Sequence, residues 1–171
     1  MKIFFIVIAL SLSLFSSDLL KIHRKLVPMT LLQVKSIAKK DDKTIRILII
    51  VNTNELLIAQ ELEELIPHKI KNFNIKVDIL QESNIDDLIS KKFDSIYTFS
   101  LKDETYDIIN NISFKGTVVT FSNSYIGLKK GMLIFIDKKK KINIYMNSKT
   151  MKLLKIPFNS KFLSIVKLIN E

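Results

Sequence analysis

The sequence predicts an α/β domain. Its mainly parallel sheet is flanked by helices on both faces and is followed by a C-terminal antiparallel hairpin and a terminal helix. Short apolar runs alternate with amphipathic stretches, which is the pattern of strands joined by crossover helices. Two further runs within residues 131–147 are too close for a helix between them and are expected to pair antiparallel. With 171 residues, 47% of them apolar, the chain has the size and composition of one folded domain.

Residues 1–17 predict export. Lys2 precedes an apolar stretch at 3–15, and the small residues Ser16 and Ser17 follow. This order is typical of a secretory signal peptide, and the apolar core is shorter than the ~20 residues of a spanning helix. We therefore expect a signal peptide at 1–17, a periplasmic location, and a single domain at 18–171 that is soluble near the membrane after cleavage. The large residues just before the cleavage point leave an uncleaved anchor as the alternative.

The first half of the mature domain predicts a helix followed by strand, helix and strand. Residues 19–40 place apolar side chains at helical spacing, and Pro28 is expected to kink or restart this helix. His23 lies in it and is assigned to the surface or to a groove. The next elements are a fully buried strand at 45–52, an amphipathic helix at 54–66 and a half-buried strand at 73–80.

The second half begins with two predicted capping boxes, Ser83 with Asp86 and Ser100 with Asp103, each opening a helix. The remaining elements are strands at 95–100 and 116–122, the hairpin at 131–147, a short helix ending near Ile156 and a terminal helix capped by Asn159 or Ser160. Four lysines at 138–141 form the hairpin turn. These like charges repel one another and are screened by salt. We therefore expect them to keep the protruding turn soluble rather than to form a binding site.

The composition of the basic residues argues against a protein that recognises a nucleic-acid sequence. The net charge is +10, but only Arg24 and Arg46 among the 27 basic residues are arginine. Proteins that recognise bases or phosphates through paired hydrogen bonds rely mainly on arginine. A solvated basic surface is favoured over an anionic partner such as lipid headgroups or a cell-wall polymer.

The sequence offers no evident catalytic or cofactor site. It contains no cysteine, which excludes disulfides, thiol catalysis and zinc–thiolate clusters. None of its three glycines follows the first strand, so the dinucleotide fingerprint and the P-loop are absent. His23 and His68 are far apart and lack carboxylates at metal-ligand spacing, and no serine lies in a nucleophile elbow. We expect no metal, no cofactor and no enzymatic activity.

Polar residues follow the predicted parallel strands, and ligands of open parallel sheets collect beyond the carboxyl ends of the strands. The candidates for binding a small polar ligand are Asn52, Thr53, Asn54, Ser100, Ser122, Asn123 and Ser124, with Gln81 and Glu82 at the same edge. The favoured alternative is that these residues are ordinary caps and turn formers.

Residues 114–169 resemble the YfiR-like family of bacterial periplasmic proteins. The likeness lies in the order of parts: a glycine before a strand, a serine-containing loop, a Gly-Met pair opening a hairpin, an asparagine at a strand end and two helices. The matching motif positions are Gly116, Ser122, Gly131, Met132 and Asn147, with helices at 149–154 and 160–169. The chain lacks the aromatic-proline pair after the first helix and the cysteines of some members.

The resemblance implies a non-enzymatic regulator that restrains an inner-membrane diguanylate cyclase by binding its periplasmic portion, often as a homodimer. It also implies structural roles for Gly116, Gly131, Met132 and Asn147. The leading hypothesis is therefore a periplasmic regulator in cyclic di-GMP signalling. The alternative is a periplasmic small-solute-binding protein coupled to a transporter, ranked second because the chain lacks the second lobe that closes over a ligand in typical carriers.

Overall fold

The computed structural model describes residues 18–138 and 141–170, and the predicted signal peptide at 1–17 lies outside these ranges. The strands are β1 (Thr44–Val51), β2 (Lys69–Ile70), β3 (Phe73–Gln81), β4 (Ser95–Thr98), β5 (Val119–Ser122), β6 (Ile134–Lys138), β7 (Ile142–Asn147) and β8 (Lys167–Ile169). The helices are α1 (18–31), α2 (Lys35–Ala38), α3 (Leu56–Leu65), α4 (Asp103–Gly116), α5 (Tyr125–Lys129), α6 (Ser148–Leu154) and α7 (Ser160–Leu163). Two further segments, Thr53–Glu55 and Glu82–Ser90, are 3₁₀ helices.

All eight strands form one sheet in the order β2-β3-β1-β4-β5-β6-β7-β8. The five strands from β3 to β6 are parallel, β2 is antiparallel to β3, and β6 and β7 form the antiparallel hairpin. The predicted α/β class, with a mainly parallel sheet and a C-terminal hairpin, is confirmed. In the described part of the chain, no helix combines the length and apolarity needed to cross a membrane.

The sheet separates two apolar cores. Alternate residues of β1 point to opposite faces, so Ile47 and Ile49 contact the core built with α1 and α3, whereas Leu48 and Ile50 contact the core built with α4. Both faces of β1 are covered, which explains its nearly continuous apolar sequence. Burying each such side chain contributes roughly 1.5–3 kcal/mol, so the centre of the sheet is the most strongly stabilised part of the fold.

The first helical region is interrupted later than predicted. Residues 18–31 are helical through Pro28, and the break falls between α1 and α2. There Val34 forms an isolated antiparallel bridge with Phe158, and the Lys35 amide donates to the Pro157 carbonyl at 2.9 Å. The interruption is caused by pairing with a distant segment, which local helical spacing could not indicate.

Both predicted capping boxes are wrong. Ser83 does not cap the 3₁₀ segment, and α4 begins without a side-chain cap of its own. A carboxylate oxygen of Glu82 instead accepts from the Lys102 amide at 2.7 Å and from the Thr105 hydroxyl at 2.6 Å. The hydrogen-bond donors at the start of α4 are thus satisfied by Glu82, which follows β3. The Glu82 carboxylate also lies at the positive end of the helix dipole of α4.

The predicted terminal helix is present only as the short α7. Asn159 caps it as expected, its Oδ1 accepting from the Lys161 amide at 2.9 Å. The chain then forms β8, which pairs parallel to β7. β8 covers part of the open edge of β7, an outcome that depends on tertiary pairing rather than on the helical spacing of residues 160–169.

His23 is buried rather than at the surface, with an exposed fraction of 1%. Its Nε2 donates to the Ile136 carbonyl at 3.0 Å, while Nδ1 accepts a hydrogen bond from the Tyr97 hydroxyl. Burial lowers the pKa of His23 to about 4, partly opposed by the bond to the Ile136 carbonyl. His23 is therefore neutral at pH 7 and joins α1 to β4 and β6.

Candidate functional site

The carboxyl ends of the five parallel strands meet at one edge of the sheet, where the sequence places the candidate binding residues. Two parts of this edge differ in chemistry. We call Asn52, Glu55 and Ser100 the β1–β4 corner. We call the cavity lined by Tyr125, Phe135, Asp137 and Tyr145 the aromatic pocket.

The polar groups of the β1–β4 corner largely satisfy one another. Asn52 Nδ2 donates to Glu55 Oε2 at 2.6 Å and to the Ser100 carbonyl at 2.7 Å. Asn52 Oδ1 accepts from the Asn54 and Glu55 amides at 2.9 and 3.1 Å. The Ser100 amide donates to Glu55 Oε2 at 3.1 Å. Asn52 is thus a helix cap, and the side chains of Thr53 and Asn54 are exposed at the surface.

The residues after β5 also act mainly as caps. Ser122 Oγ accepts from the Ser124 amide at 3.2 Å, and Ser124 Oγ accepts from the Gly127 amide at 3.4 Å, capping α5. Asn123 differs, because its side-chain Oδ1 is buried and accepts no hydrogen bond from any described residue. The cap-and-turn interpretation therefore explains Asn52, Ser122 and Ser124 but leaves the Asn123 oxygen unused.

The aromatic pocket lies directly beside these caps. Its volume is about 410 Å³. Tyr125 is the first residue of α5 and follows Ser124, while Phe135 pairs in register with Ser122 of β5 on one side and with Tyr145 of β7 on the other. Paired residues of neighbouring strands point to the same face of a sheet, so strand pairing brings together rings that lie far apart in sequence.

The three rings form one contact cluster. Phe135 and Tyr145 are stacked, with centroids 5.9 Å apart and planes inclined by 17°. Tyr125 presents an edge-on arrangement to both, at centroid distances of 6.1 Å from Phe135 and 6.5 Å from Tyr145. Cross-strand aromatic pairs stabilise a hairpin by roughly 0.2–1 kcal/mol, so the cluster also supports the fold.

Asp137 is the charged residue among the described residues that line the aromatic pocket. Its side chain is half-buried, and no hydrogen bond or ion pair joins its carboxylate to another described residue. Two lysines lie over rings of the cluster without lining the cavity: Lys129 Nζ is 5.4 Å from the Tyr125 centroid, and Lys167 Nζ is 5.4 Å from the Tyr145 centroid. The cavity thus combines aromatic walls with one carboxylate.

Of the sequence-predicted residues, Ser122 pairs with Phe135 and Ser124 directly precedes Tyr125, whereas Asn52, Thr53, Asn54 and Ser100 lie at the ends of β1 and β4; none of them is a lining residue of the pocket. Tyr125, Phe135, Asp137 and Tyr145 were missed, although alternation along the hairpin is a signal that could have placed Phe135 and Asp137 on one face. Among the described residues, no group of three histidine or acidic side chains is arranged to hold a metal ion.

The motif positions lie around the segment that leads into β6. Gly131 has a φ of +94°, which favours glycine, and its carbonyl accepts from the Thr150 hydroxyl at 3.0 Å. Met132 is fully buried, and Asn147 caps α6 while its Nδ2 donates to the Leu128 carbonyl at 3.1 Å. Gly116 is the last residue of α4 rather than the start of a strand.

No protein-family model matches the chain. No curated protein matches it either.

Several solved structures share its fold, including the following three. A conserved domain protein from Vibrio cholerae aligns with a TM-score of 0.59 at 15% identity, covering 87% of this chain and 59% of that one. The ligand-free, open structure of a substrate binding protein with adhesive properties from Clostridium difficile aligns at 0.55 and 16%, covering 74% and 54%. An ABC domain in complex with L-Trp from Streptococcus pneumonia aligns at 0.56 and 9%, covering 81% and 61%.

The chain therefore spans between 54% and 61% of the length of these three structures. None of the three carries the name of the YfiR-like family. At these identities the likeness establishes the fold, which this chain shares with proteins described as binding a substrate or L-Trp.

Proposed function

We propose that this chain is an exported small-solute-binding module that holds its ligand in the aromatic pocket. The observation that carries the proposal is the position of this pocket, at the carboxyl edge of a parallel sheet whose fold is shared with substrate-binding structures. The signal-like residues 1–17 support export. The comparisons favour this alternative over control of a diguanylate cyclase, which stays a prediction.

The pocket has the general character of a small-molecule site. Its volume of about 410 Å³ lies within the range of roughly 300–1,000 Å³ found for ligand pockets. Such pockets combine apolar and aromatic walls with a few polar groups that fix orientation. Here three rings supply the walls and Asp137 supplies the polar group.

Exposed apolar residues at the same edge support the proposal that a second body covers the pocket. Leu57 and Ile126, near the starts of α3 and α5, are 79% and 65% exposed, and Tyr125 beside Ile126 is 40% exposed. Binding proteins of this type close over a ligand by movement of one lobe against another. We propose that the closing surface belongs to a partner at the membrane, such as the solute's transporter.

A solute screen tests the proposal. We expect the unfolding temperature of the purified chain to rise in the presence of one class among amino acids, sugars, nucleosides and amines, because a bound ligand stabilises the folded state. The gain is about 2.7 kcal/mol at a ligand concentration 100 times the dissociation constant. Tyr125→Ala, which removes one wall of the pocket, is expected to abolish this rise.

The matched control is Phe114→Ala, because Phe114 on α4 is 42% exposed and Tyr125 is 40% exposed, yet Phe114 does not line the pocket. Its unfolding temperature is expected to respond to the solute as the unmodified chain does. A screen in which no solute raises the unfolding temperature would contradict the proposal, as would a rise that Tyr125→Ala leaves intact.

A further inference from the structure

We infer that the ligand of the aromatic pocket is an organic cation, whose ammonium group contacts the aromatic rings and is neutralised by Asp137. The inference rests on the proposed function, since it names the chemical class of solute that the pocket binds.

The lining selects for positive charge. Three of the four described lining residues are aromatic, and an aromatic ring attracts a cation placed over its face within about 6 Å of its centroid. The fourth, Asp137, carries a negative charge. Among the residues that the structure describes, 18–138 and 141–170, no basic side chain lines the cavity. An anionic solute would therefore lie against a carboxylate and the electron-rich faces of the rings.

The Asp137 carboxylate lacks a counter-ion among the described residues. Its cross-strand partner Asn143 uses its side-chain amide to donate to the Lys141 carbonyl at 3.1 Å. The adjacent Lys138 points to the opposite face of the sheet, where its Nζ pairs with Asp18 at 3.1 Å. A half-buried carboxylate is stabilised by a paired cation, and a ligand ammonium would supply one.

The ring contacts in the structure show that ammonium groups already approach this cluster. Lys129 and Lys167 each place an ammonium 5.4 Å from a ring centroid. Neither lysine is among the described residues that line the cavity. The positive charges of Lys129 and Lys167 repel a bound cation, but salt screens this repulsion over about 8–10 Å. Asp137 lines the cavity itself and attracts the cation at shorter range.

The test compares cations with neutral molecules of the same shape. The probes are choline with its neutral isostere, in which carbon replaces the ammonium nitrogen, and phenethylamine with phenethyl alcohol. Titration calorimetry of the purified chain is expected to show each cation binding at least about tenfold more tightly than its neutral partner. Asp137→Asn, which keeps the shape of the side chain, is expected to remove about tenfold of the cation affinity without changing that of the neutral probes.

Asp87→Asn is the matched control, because Asp87 is an exposed aspartate on the 3₁₀ segment after β3, on the far side of the sheet from β6. It is expected to leave all affinities unchanged. Lys129→Gln is expected to raise cation affinity by removing a neighbouring positive charge. Circular dichroism of each variant verifies that the fold is retained.

The failures of the two proposals can be told apart. Equal or tighter binding of the neutral probes, abolished by Tyr125→Ala, would overturn the cation inference and leave the solute-binding function intact. Cation binding that survives both Asp137→Asn and Tyr125→Ala would also overturn it. Absence of binding by both cations overturns the inference, and the broader solute screen then decides the proposed function separately.

Discussion

Lowering the pH from about 7 to about 4 is expected to destabilise the folded chain by about 3 kcal/mol through His23 alone. The ordinary pKa of 6.5 applies when the chain is unfolded, whereas burial lowers the pKa in the folded state to about 4. Between these values the unfolded chain binds a proton that the folded chain does not. The stability contributed by neutral His23 is therefore nearly complete above pH 6.5, is mostly lost at pH 4, and stops changing about one pH unit below that.

The geometry explains why the folded state resists protonation. His23 Nδ1 accepts from the Tyr97 hydroxyl, so a proton on Nδ1 would replace the acceptor by a second donor. Burial also raises the pKa of Tyr97, which keeps that hydroxyl protonated and donating. With Nε2 already donating to the Ile136 carbonyl, the added proton on Nδ1 would face the Tyr97 hydroxyl, which would have to turn its own hydrogen away in order to accept.

Urea unfolding at a series of pH values measures this effect. His23→Gln removes the titrating group, and its stability is expected to fall less steeply than that of the unmodified chain between pH 6.5 and 4. His68→Gln, which replaces an exposed histidine, is the matched control for the loss of an imidazole. Equal slopes for the His23 variant and the unmodified chain would show that His23 titrates normally in the folded state.

The fold class was predictable because its signals are local. The apolar run at 45–52 and the alternating residues at 73–80 became the central strands β1 and β3. The predictions that were wrong concern features that depend on contacts with residues distant in sequence. The start of α4 is satisfied by Glu82, and β8 exists because β7 offers an edge. His23 is buried because α1 packs against β4 and β6.

The candidate site was predictable only in its location. The carboxyl edge follows from a parallel topology, so Ser122 and Ser124 were placed correctly at that edge. The lining of the pocket follows from the register that joins Phe135 to Tyr145, and from the path of α5 that brings in Tyr125. The spacing of residues in the sequence does not predict which residues of β6 and β7 pair.

Gly127→Ala is expected to destabilise the chain by about 3 kcal/mol, the upper range for overpacking a filled site. A methyl group on Gly127 would lie 2.1 Å from Ser122 Oγ and 2.6 Å from Ser122 Cβ. Both atoms belong to a buried side chain at the end of β5, so they have little room to move. Thermal or urea unfolding measures the loss. Gly116→Ala is the control, because its added Cβ meets only Val118 Cγ2, at 3.2 Å.

A second substitution identifies the cause of the loss. Ser122→Gly removes both clashing atoms, so adding it to Gly127→Ala is expected to recover most of the lost stability, whereas Ser122→Ala leaves the Cβ contact at 2.6 Å and recovers less. Because α5 carries Tyr125 into the aromatic pocket, solute binding is expected to weaken in Gly127→Ala and to return with Ser122→Gly. Stability that returns without binding would separate the packing of α5 from the shape of the pocket.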